Sequence, residues 1–211
     1  MIFRLNKRLV FPEPDLAEPD GLLAVGGDLS TQRLLLAYQN GIFPWYSDDT
    51  PILWYSPHER FVLYPQELNI SRSMRRALNS GRFSVTADTC FHEVITACST
   101  VPREDQDGTW ITDDMKAAYN QLHAEGYAHS VEVWQNQELV GGIYGVRVGD
   151  VFCGESMFSK VSNASKTALI HVCQSGLYKL VDCQVHTNHM ESMGARMISR
   201  EEYMAILNSE N

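Results

Sequence analysis

The sequence has no apolar run near the ~18 residues that suggest a membrane helix, and its start, MIFRLNKRLVFPEPD, lacks the continuous apolar segment of an export signal. Both absences predict a cytoplasmic protein with no membrane partner. Cysteine is scarce and scattered: Cys90, Cys98, Cys153, Cys173 and Cys183 contain no C-x-x-C pair, which argues against a disulfide framework and against a zinc knuckle. Neither a P-loop nor a G-x-G-x-x-G turn occurs. Positive charge is in deficit, with 17 Lys and Arg against 26 Asp and Glu and a net charge of −9. That balance opposes non-specific nucleic-acid binding but permits a local basic patch. No repeat or low-complexity segment is present, and 211 residues suffice for one large domain or a large and a small one.

What is abundant is unevenly placed. GIFPWYSDDTPILWYSP, residues 41–57, concentrates Phe43, Trp45, Tyr46, Trp54 and Tyr55 with neither helical nor strand periodicity. It reads as a loop rich in stacking surface or, alternatively, as a plug for a small core. Residues 1–60 read as a proline-rich, loop-like N-terminal unit containing one helix, capped by Ser30 and stopped at Gly41. SRSMRRALNS, from Ser71 to the stop at Gly81, carries Arg72, Arg75 and Arg76 on adjacent turns, the only dense basic face in the sequence.

From Phe83 the pattern alternates between element types. FSVTA predicts a strand, with Asp88 capping a helix through Cys98; Thr112 opens a helix that Gly126 closes. AHSVEVWQ, ELVGGIYGVRVG and DVFCGESMFS form an antiparallel meander, followed by a helix capped by Asn163 and the strand KLVDCQV. An irregular HTNHMESMGA, a short strand RMIS and a helix opened by the capping box Ser199–Glu202 complete an α+β chain with a mixed, mostly antiparallel sheet.

KLVDCQV holds the first chemical signal. Strand alternation puts Val181, Cys183 and Val185 on one face and Asp182, Gln184 and His186 on the other. The Val-Cys-Val face suits a core, with Cys183 a small inert hydrophobe; the opposite face is either solvated or a polar network. Glu155, in the otherwise apolar FCGESMFS, is costly unless it is partnered or meets a ligand. Gly141, Gly142 and Gly145 permit close approach of a ligand or another backbone. His186 and His189 have no third ligand to complete a metal site, so no metal is expected.

GLLAVGGDLS, GIFPWYS, LWYSP, GTWIT, HSVEVW, LVGGIYGV, FCGESMFS, NASKTAL and LVDCQV resemble, in order and over nearly the whole chain, the motifs of the leucyl/phenylalanyl-tRNA–protein transferase family. The resemblance implies a small N-terminal domain (1–60) and a GNAT-like acyltransferase domain (61–211) that works as a monomer with no cofactor. It implies transfer of Leu, Phe or Met from aminoacyl-tRNA to proteins beginning with Arg or Lys, marking them for N-degron proteolysis. By that resemblance Trp45 and Trp110 dock the tRNA 3′ end, and the Arg72, Arg75 and Arg76 face suits the tRNA backbone. Trp54 and Tyr55 either share the docking role or hold the loop.

The resemblance further implies an amino-acid pocket of Ile143, Phe152, Gly154, Met157, Leu169, Val172 and Val181, which conflicts with the opposed faces of Val181 and Asp182. Asp182 and Gln184 are implied in handling the attacking amine, Asp182 either as a base or as an orienting charge. Glu155 suits a cationic acceptor. The competing expectation, an acetyl-CoA-dependent N-acyltransferase, lacks the glycine-rich pyrophosphate loop it would need. A tRNA-binding module without catalysis would leave Asp182, Gln184 and Glu155 unexplained.

Overall fold

The computed structural model describes residues 2–101 and 110–209. Two sheets organise the chain. The first has four strands in the order β1-β2-β4-β3: β1 (Phe3–Leu5), β2 (Leu22–Gly26), β3 (Phe43–Pro44) and β4 (Leu53–Tyr55). The opening sixty residues are therefore a small sheet with one helix, α1 (Thr31–Gln39), rather than loop-like. The aromatic stretch 41–57 is a hairpin, because Phe43 and Pro44 pair with Tyr55 and Trp54 across β3 and β4. Short strands pinned by large aromatics escape periodicity rules, which need four or more residues to register.

The second sheet has seven strands, ordered β11-β5-β10-β9-β8-β7-β6. Its members are β5 (Glu59–Leu63), β6 (Ser84–Ala87), β7 (Ala128–Gln135), β8 (Glu138–Val148), β9 (Val151–Ser159), β10 (Leu180–Gln184) and β11 (Arg196–Ser199). β7, β8 and β9 are the expected antiparallel meander, and among the described strands of this sheet β10 alone pairs in parallel, with β9, while running antiparallel to β5. This is the mixed, mostly antiparallel α+β architecture anticipated from the sequence.

Helices cover both faces. α3 (Phe91–Thr100) and α4 (Asp113–Ala124) pack on one, α5 (Ala164–Gln174) on the other, with α2 (Arg72–Asn79), a short α6 (Asn188–Ser192) and α7 (Arg200–Leu207) around the margins. Tyr144, Val146 and Cys153 join the α3 and α4 side; Ile143, Phe152 and Val181 join the α5 side. The small sheet shares the first of these cores: Leu23, Ala24, Leu34 and Trp54 are fully buried in the same cluster as Val94 and Tyr144.

Local signals held in part: Ser30 precedes α1, but its hydroxyl donates to Asp28 Oδ1 and caps no helix N–H. Ser71 accepts from Met74 N (3.2 Å), Thr112 from Met115 N (3.2 Å) and Ser199 from Glu202 N (3.1 Å). The Ser199 box is half a box, since Glu202 accepts from Tyr64 instead of closing back. Asp88 does not cap α3: it sits at φ 55°, and its carboxylate takes Ser130 N (2.8 Å) and the His129 ring (2.8 Å). Asn163 begins α5 from a left-handed φ of 74°, without a side-chain cap. The segment read as irregular contains α6, capped by Thr187. Gly141 and Gly145 serve packing against protein, since a Cβ would lie 2.5 Å from Ala164 Cβ and 2.3 Å from Cys153 O respectively.

Candidate active site

Parallel pairing of β9 with β10 ends at Cys153 and Asp182, and beyond that point the strands part. On its other edge β9 bulges: Tyr144 faces Ser156 and Gly145 faces Gly154, leaving Glu155 as the extra residue. A bulge of this kind re-aims the residue it displaces. On β10 the register also shifts between Asp182 and Gln184, and Gln184 adopts φ 61°. Strict alternation therefore fails after Asp182, and Val185, expected in the core, is 45% exposed.

A cleft of about 760 Å³ opens where the strands separate. Because it passes between them, it reaches both sheet faces, and Val181 and Asp182 line it together despite pointing apart. Ile143, Gly154, Met157 and Leu169 line its apolar part, whereas Phe152 and Val172 lie behind it in the core, Phe152 against Tyr178 with ring centroids 5.2 Å apart. Met190 of α6 adds to the lining. Trp45 and Trp110 stand at the cleft, Trp45 being 37% exposed and 5.8 Å from the Tyr55 ring. Trp54 is fully buried, its Nε1 donating to Gly26 O (2.8 Å), and so holds the hairpin instead. Arg72, Arg75 and Arg76 are exposed on α2, outside the cleft lining.

The polar part of the cleft is two linked carboxylates with opposite environments. Asp182 is fully buried and fully engaged. Arg60 Nε reaches both its oxygens (3.0 Å each), Arg60 also pairs with Oδ2 at 2.9 Å, and Tyr203 donates to Oδ2 at 2.8 Å. Its Oδ1 accepts from Gln184 N (2.8 Å), closing a local turn that holds the left-handed Gln184. Burial opposes the Arg60 charge most strongly, but Asp182 beside it, together with Tyr203 and Cys153, holds the guanidinium above its ordinary pKa. The Arg60 plane lies between the Phe43 and Tyr203 rings, 4.7 Å from each.

Glu155 has no such cation. Gln184 Nε2 and the Tyr38 hydroxyl donate to Oε1 at 2.7 and 2.8 Å, and the Tyr119 hydroxyl donates to Oε2 at 3.1 Å. The two phenol oxygens also lie within hydrogen-bond reach of each other; with one proton each, the phenols make that bond only in place of one donation to Glu155. Burial pushes the Glu155 pKa up to about 7; the donors from Tyr38 and Tyr119 pull it down, and the Asp182 charge raises it. Burial and then the Glu155 charge raise both phenols well above their ordinary value, so they remain donors. The result is a carboxyl poised to exchange a proton near neutral pH, beside an amide whose carbonyl can accept a hydrogen bond.

Cys183 lines the cleft half-buried, and burial raises its thiol well above the usual range, which suits an inert side chain. Among the described residues no His, Cys, Asp and Glu are grouped to hold a metal ion, and no helix is long and apolar enough to cross a membrane. Sequence reasoning missed Arg60, Tyr203 and Tyr38 and took Tyr119 for an apolar helix position. Their polar ends meet the site only through contacts such as Tyr38 to Glu155, 117 residues apart, and Arg60 to Asp182, 122 apart.

The model of the leucyl/phenylalanyl-tRNA protein transferase family matches residues 62–208, and that of its N-terminal domain matches 27–58. The chain belongs to this family. A leucyl/phenylalanyl-tRNA–protein transferase of Syntrophobacter fumaroxidans is 56% identical over 98% of this chain and 89% of the relative. One of Flavobacterium johnsoniae is 54% identical over 99% of this chain and the whole of the relative. Among solved structures, FemX superposes with a TM-score of 0.50 at 10% identity, over 80% of this chain and 66% of FemX. That likeness bears on the fold alone. Membership makes the chain an aminoacyltransferase enzyme, with a separately recognisable N-terminal region.

Proposed function

We propose that this enzyme moves Leu, Phe or Met from aminoacyl-tRNA to proteins whose first residue is Arg or Lys, acting in the cytoplasm as a monomer to mark them for N-degron proteolysis. The observation that carries the chemistry is the Glu155–Gln184 pair, with Nε2 to Oε1 at 2.7 Å at the edge of the cleft. An aminoacyl ester is already activated, so no enzyme nucleophile is required. Glu155 takes a proton from the incoming ammonium, whose reference pKa is about 7.7–8.0. The freed amine attacks the ester carbonyl while the Gln184 carbonyl orients it. The new C–N bond forms, the C–O bond to ribose breaks, and the surplus proton on the attacking nitrogen passes to the departing ribose oxygen. Asp182, whose oxygens are engaged by Arg60 and Tyr203, orients Gln184 rather than touching the amine.

Donor recognition divides by chemistry. Trp45 and Trp110 offer ring faces to the terminal bases, and Arg72, Arg75 and Arg76 offer cations to phosphates, neither reading sequence. Ile143, Gly154, Met157, Leu169 and Val181 receive the transferred side chain, with Phe152 and Val172 supporting them from behind. The anionic form of Glu155 favours the doubly cationic N-terminus of an acceptor beginning with Arg or Lys. The test is transfer of labelled Leu from Leu-tRNA to Arg-, Lys- and Ala-initiated peptides, with acetyl-CoA as the rival donor. Label on the Arg and Lys peptides alone supports the proposal; acetyl transfer without aminoacyl transfer overturns it.

A further inference from the structure

The small sheet carries a feature that the catalytic cleft does not use. Arg4 pairs with Val25, Val25 pairs with Leu53, and Trp45 N donates to Leu53 O at 2.9 Å, so Arg4 and Trp45 end one cross-strand row. Paired residues on neighbouring strands point to the same side. In this row Arg4 and Trp45 are exposed and Val25 and Leu53 half-buried, whereas Ala24, Trp54 and Pro44 of the adjacent row are buried. The row therefore lies on the outward face. It spans three strand spacings, roughly 15 Å, from the cleft mouth to the β1 edge.

That edge is basic in an acidic protein. Arg4, Lys7 and Arg8 are all exposed, and the first carboxylate in the sequence is Glu13. None of the ion pairs among the described residues uses these three cations. The turn that presents Lys7 and Arg8 is built from beneath. The side chain of Arg33 is fully buried and donates to Asn6 O (2.8 Å), Arg8 O (3.2 Å) and Asp28 Oδ2 (3.2 Å), while Asn6 Oδ1 accepts from Arg8 N (2.8 Å). Its Nε and the other terminal nitrogen remain buried without partners, so holding this turn carries a desolvation cost. Asp48 and Asp49 stand in the β3–β4 turn next to Trp45, which confines the cationic grip to the β1 edge.

We infer that the outward face of the small sheet is a track for the donor's 3′ strand, with Arg4, Lys7 and Arg8 holding its backbone phosphates. The inference rests on the proposed use of aminoacyl-tRNA. A stacked strand advances about 3.4 Å per nucleotide, so a terminal base at Trp45 puts the β1 edge about four nucleotides back along the strand. Cations there contact phosphates without reading bases, and they fix the direction in which the strand leaves the cleft.

The test compares the triple variant Arg4→Gln, Lys7→Gln, Arg8→Gln with a charge-matched control, Lys116→Gln, Arg147→Gln, Lys179→Gln. Backbone carbonyls hold the turn, so the side-chain changes leave the Arg33 contacts in place. Both variants are assayed with Leu-tRNA and with 3′-O-leucyl adenosine, a donor with no backbone phosphates, and uncharged tRNA binding is followed by fluorescence anisotropy. The track variant should raise the KM for Leu-tRNA and the Kd for tRNA tenfold or more. Its log Kd against log salt slope should flatten by about two, from roughly 0.7 per lost single-strand contact. Its use of leucyl adenosine should match wild type. Tighter-than-control or control-like values in both KM and salt slope overturn the inference. Wild-type enzyme that binds tRNA but transfers from neither donor ends the proposed function instead, while the anisotropy comparison still decides the track.

Discussion

Replacing Glu155 with Gln should make the protein more stable at alkaline pH while removing most of its activity. The carboxyl is carried from an ordinary 4.5 to about 7 by burial. At about 1.36 kcal/mol per pH unit, an elevation of that size is worth roughly 3 kcal/mol. The sign follows from which state binds the proton more tightly. The folded state does, so its advantage is complete below pH 4.5 and is lost as pH rises through about 7. Gln copies the neutral acid in shape and cannot ionise. Wild type and variant should therefore be about equally stable near pH 4.5, and the variant should lead by roughly 2–3 kcal/mol at pH 8. Urea unfolding of both proteins from pH 4.5 to 8 gives this difference directly, and other titrating groups cancel between them. Parallel stability curves would refute the reasoning, because they would mean that Glu155 has an ordinary pKa. In single-turnover assays kcat should fall roughly 10²–10⁴-fold. The acid limb near pH 7 should vanish, leaving only that of the acceptor amine.

The other variants separate support from contact. Asp182→Asn removes the partner of a buried Arg60 and should cost roughly 3–5 kcal/mol in urea titration, contrary to the mild loss that an exposed strand residue would give. Tyr203→Phe, which deletes only the hydroxyl at 2.8 Å from Asp182, should cost roughly 1.5–3 kcal/mol and lower kcat with little change in KM for tRNA; unaltered stability and kcat would remove Tyr203 from the support of Gln184. Trp45→Ala should raise KM for aminoacyl-tRNA by the roughly 1–3 kcal/mol of one stacked base, with under about 1 kcal/mol lost in thermal melts; a large melting shift with normal KM would make the indole mere packing. Arg75→Glu with Arg76→Glu should weaken tRNA use and flatten its salt dependence without altering the urea midpoint. Cys183→Ala should keep turnover per folded molecule near wild type at a cost of about 1 kcal/mol, and a trapped aminoacyl-thioester in wild type would replace direct attack with a two-step route.

How much of this was legible in the sequence depended on the range of the interaction concerned. Caps such as Ser71 and Thr112, and the glycine-bounded meander, are written within a few residues and were read correctly. The small sheet was not, because β3 is two residues long and β1 and β4 three each, too short for alternation to differ from chance. Asp88 carried a cap's residue type and position, but a tertiary demand prevailed: Ser130 N and His129, 42 and 41 residues away, claim its carboxylate.

The site follows the same rule with a larger consequence. Alternation correctly separated Val181 from Asp182, and it failed one step later because Asp182 bonds the Gln184 amide and turns it left-handed. The same failure releases the Gln184 side chain toward Glu155, itself the bulged residue on the neighbouring strand. Two local departures from regular β structure, on strands that stop pairing at Cys153 and Asp182, thus open the cleft and aim the chemistry into it. A sequence pattern that presumes regular strands cannot contain either departure. It could name Glu155 as a costly carboxylate and Asp182 and Gln184 as members of one polar face, but not assign their roles. Those depend on Arg60 reaching one carboxylate and not the other, which leaves Asp182 bound to a buried cation and Glu155 with its pKa pushed up by burial to about 7.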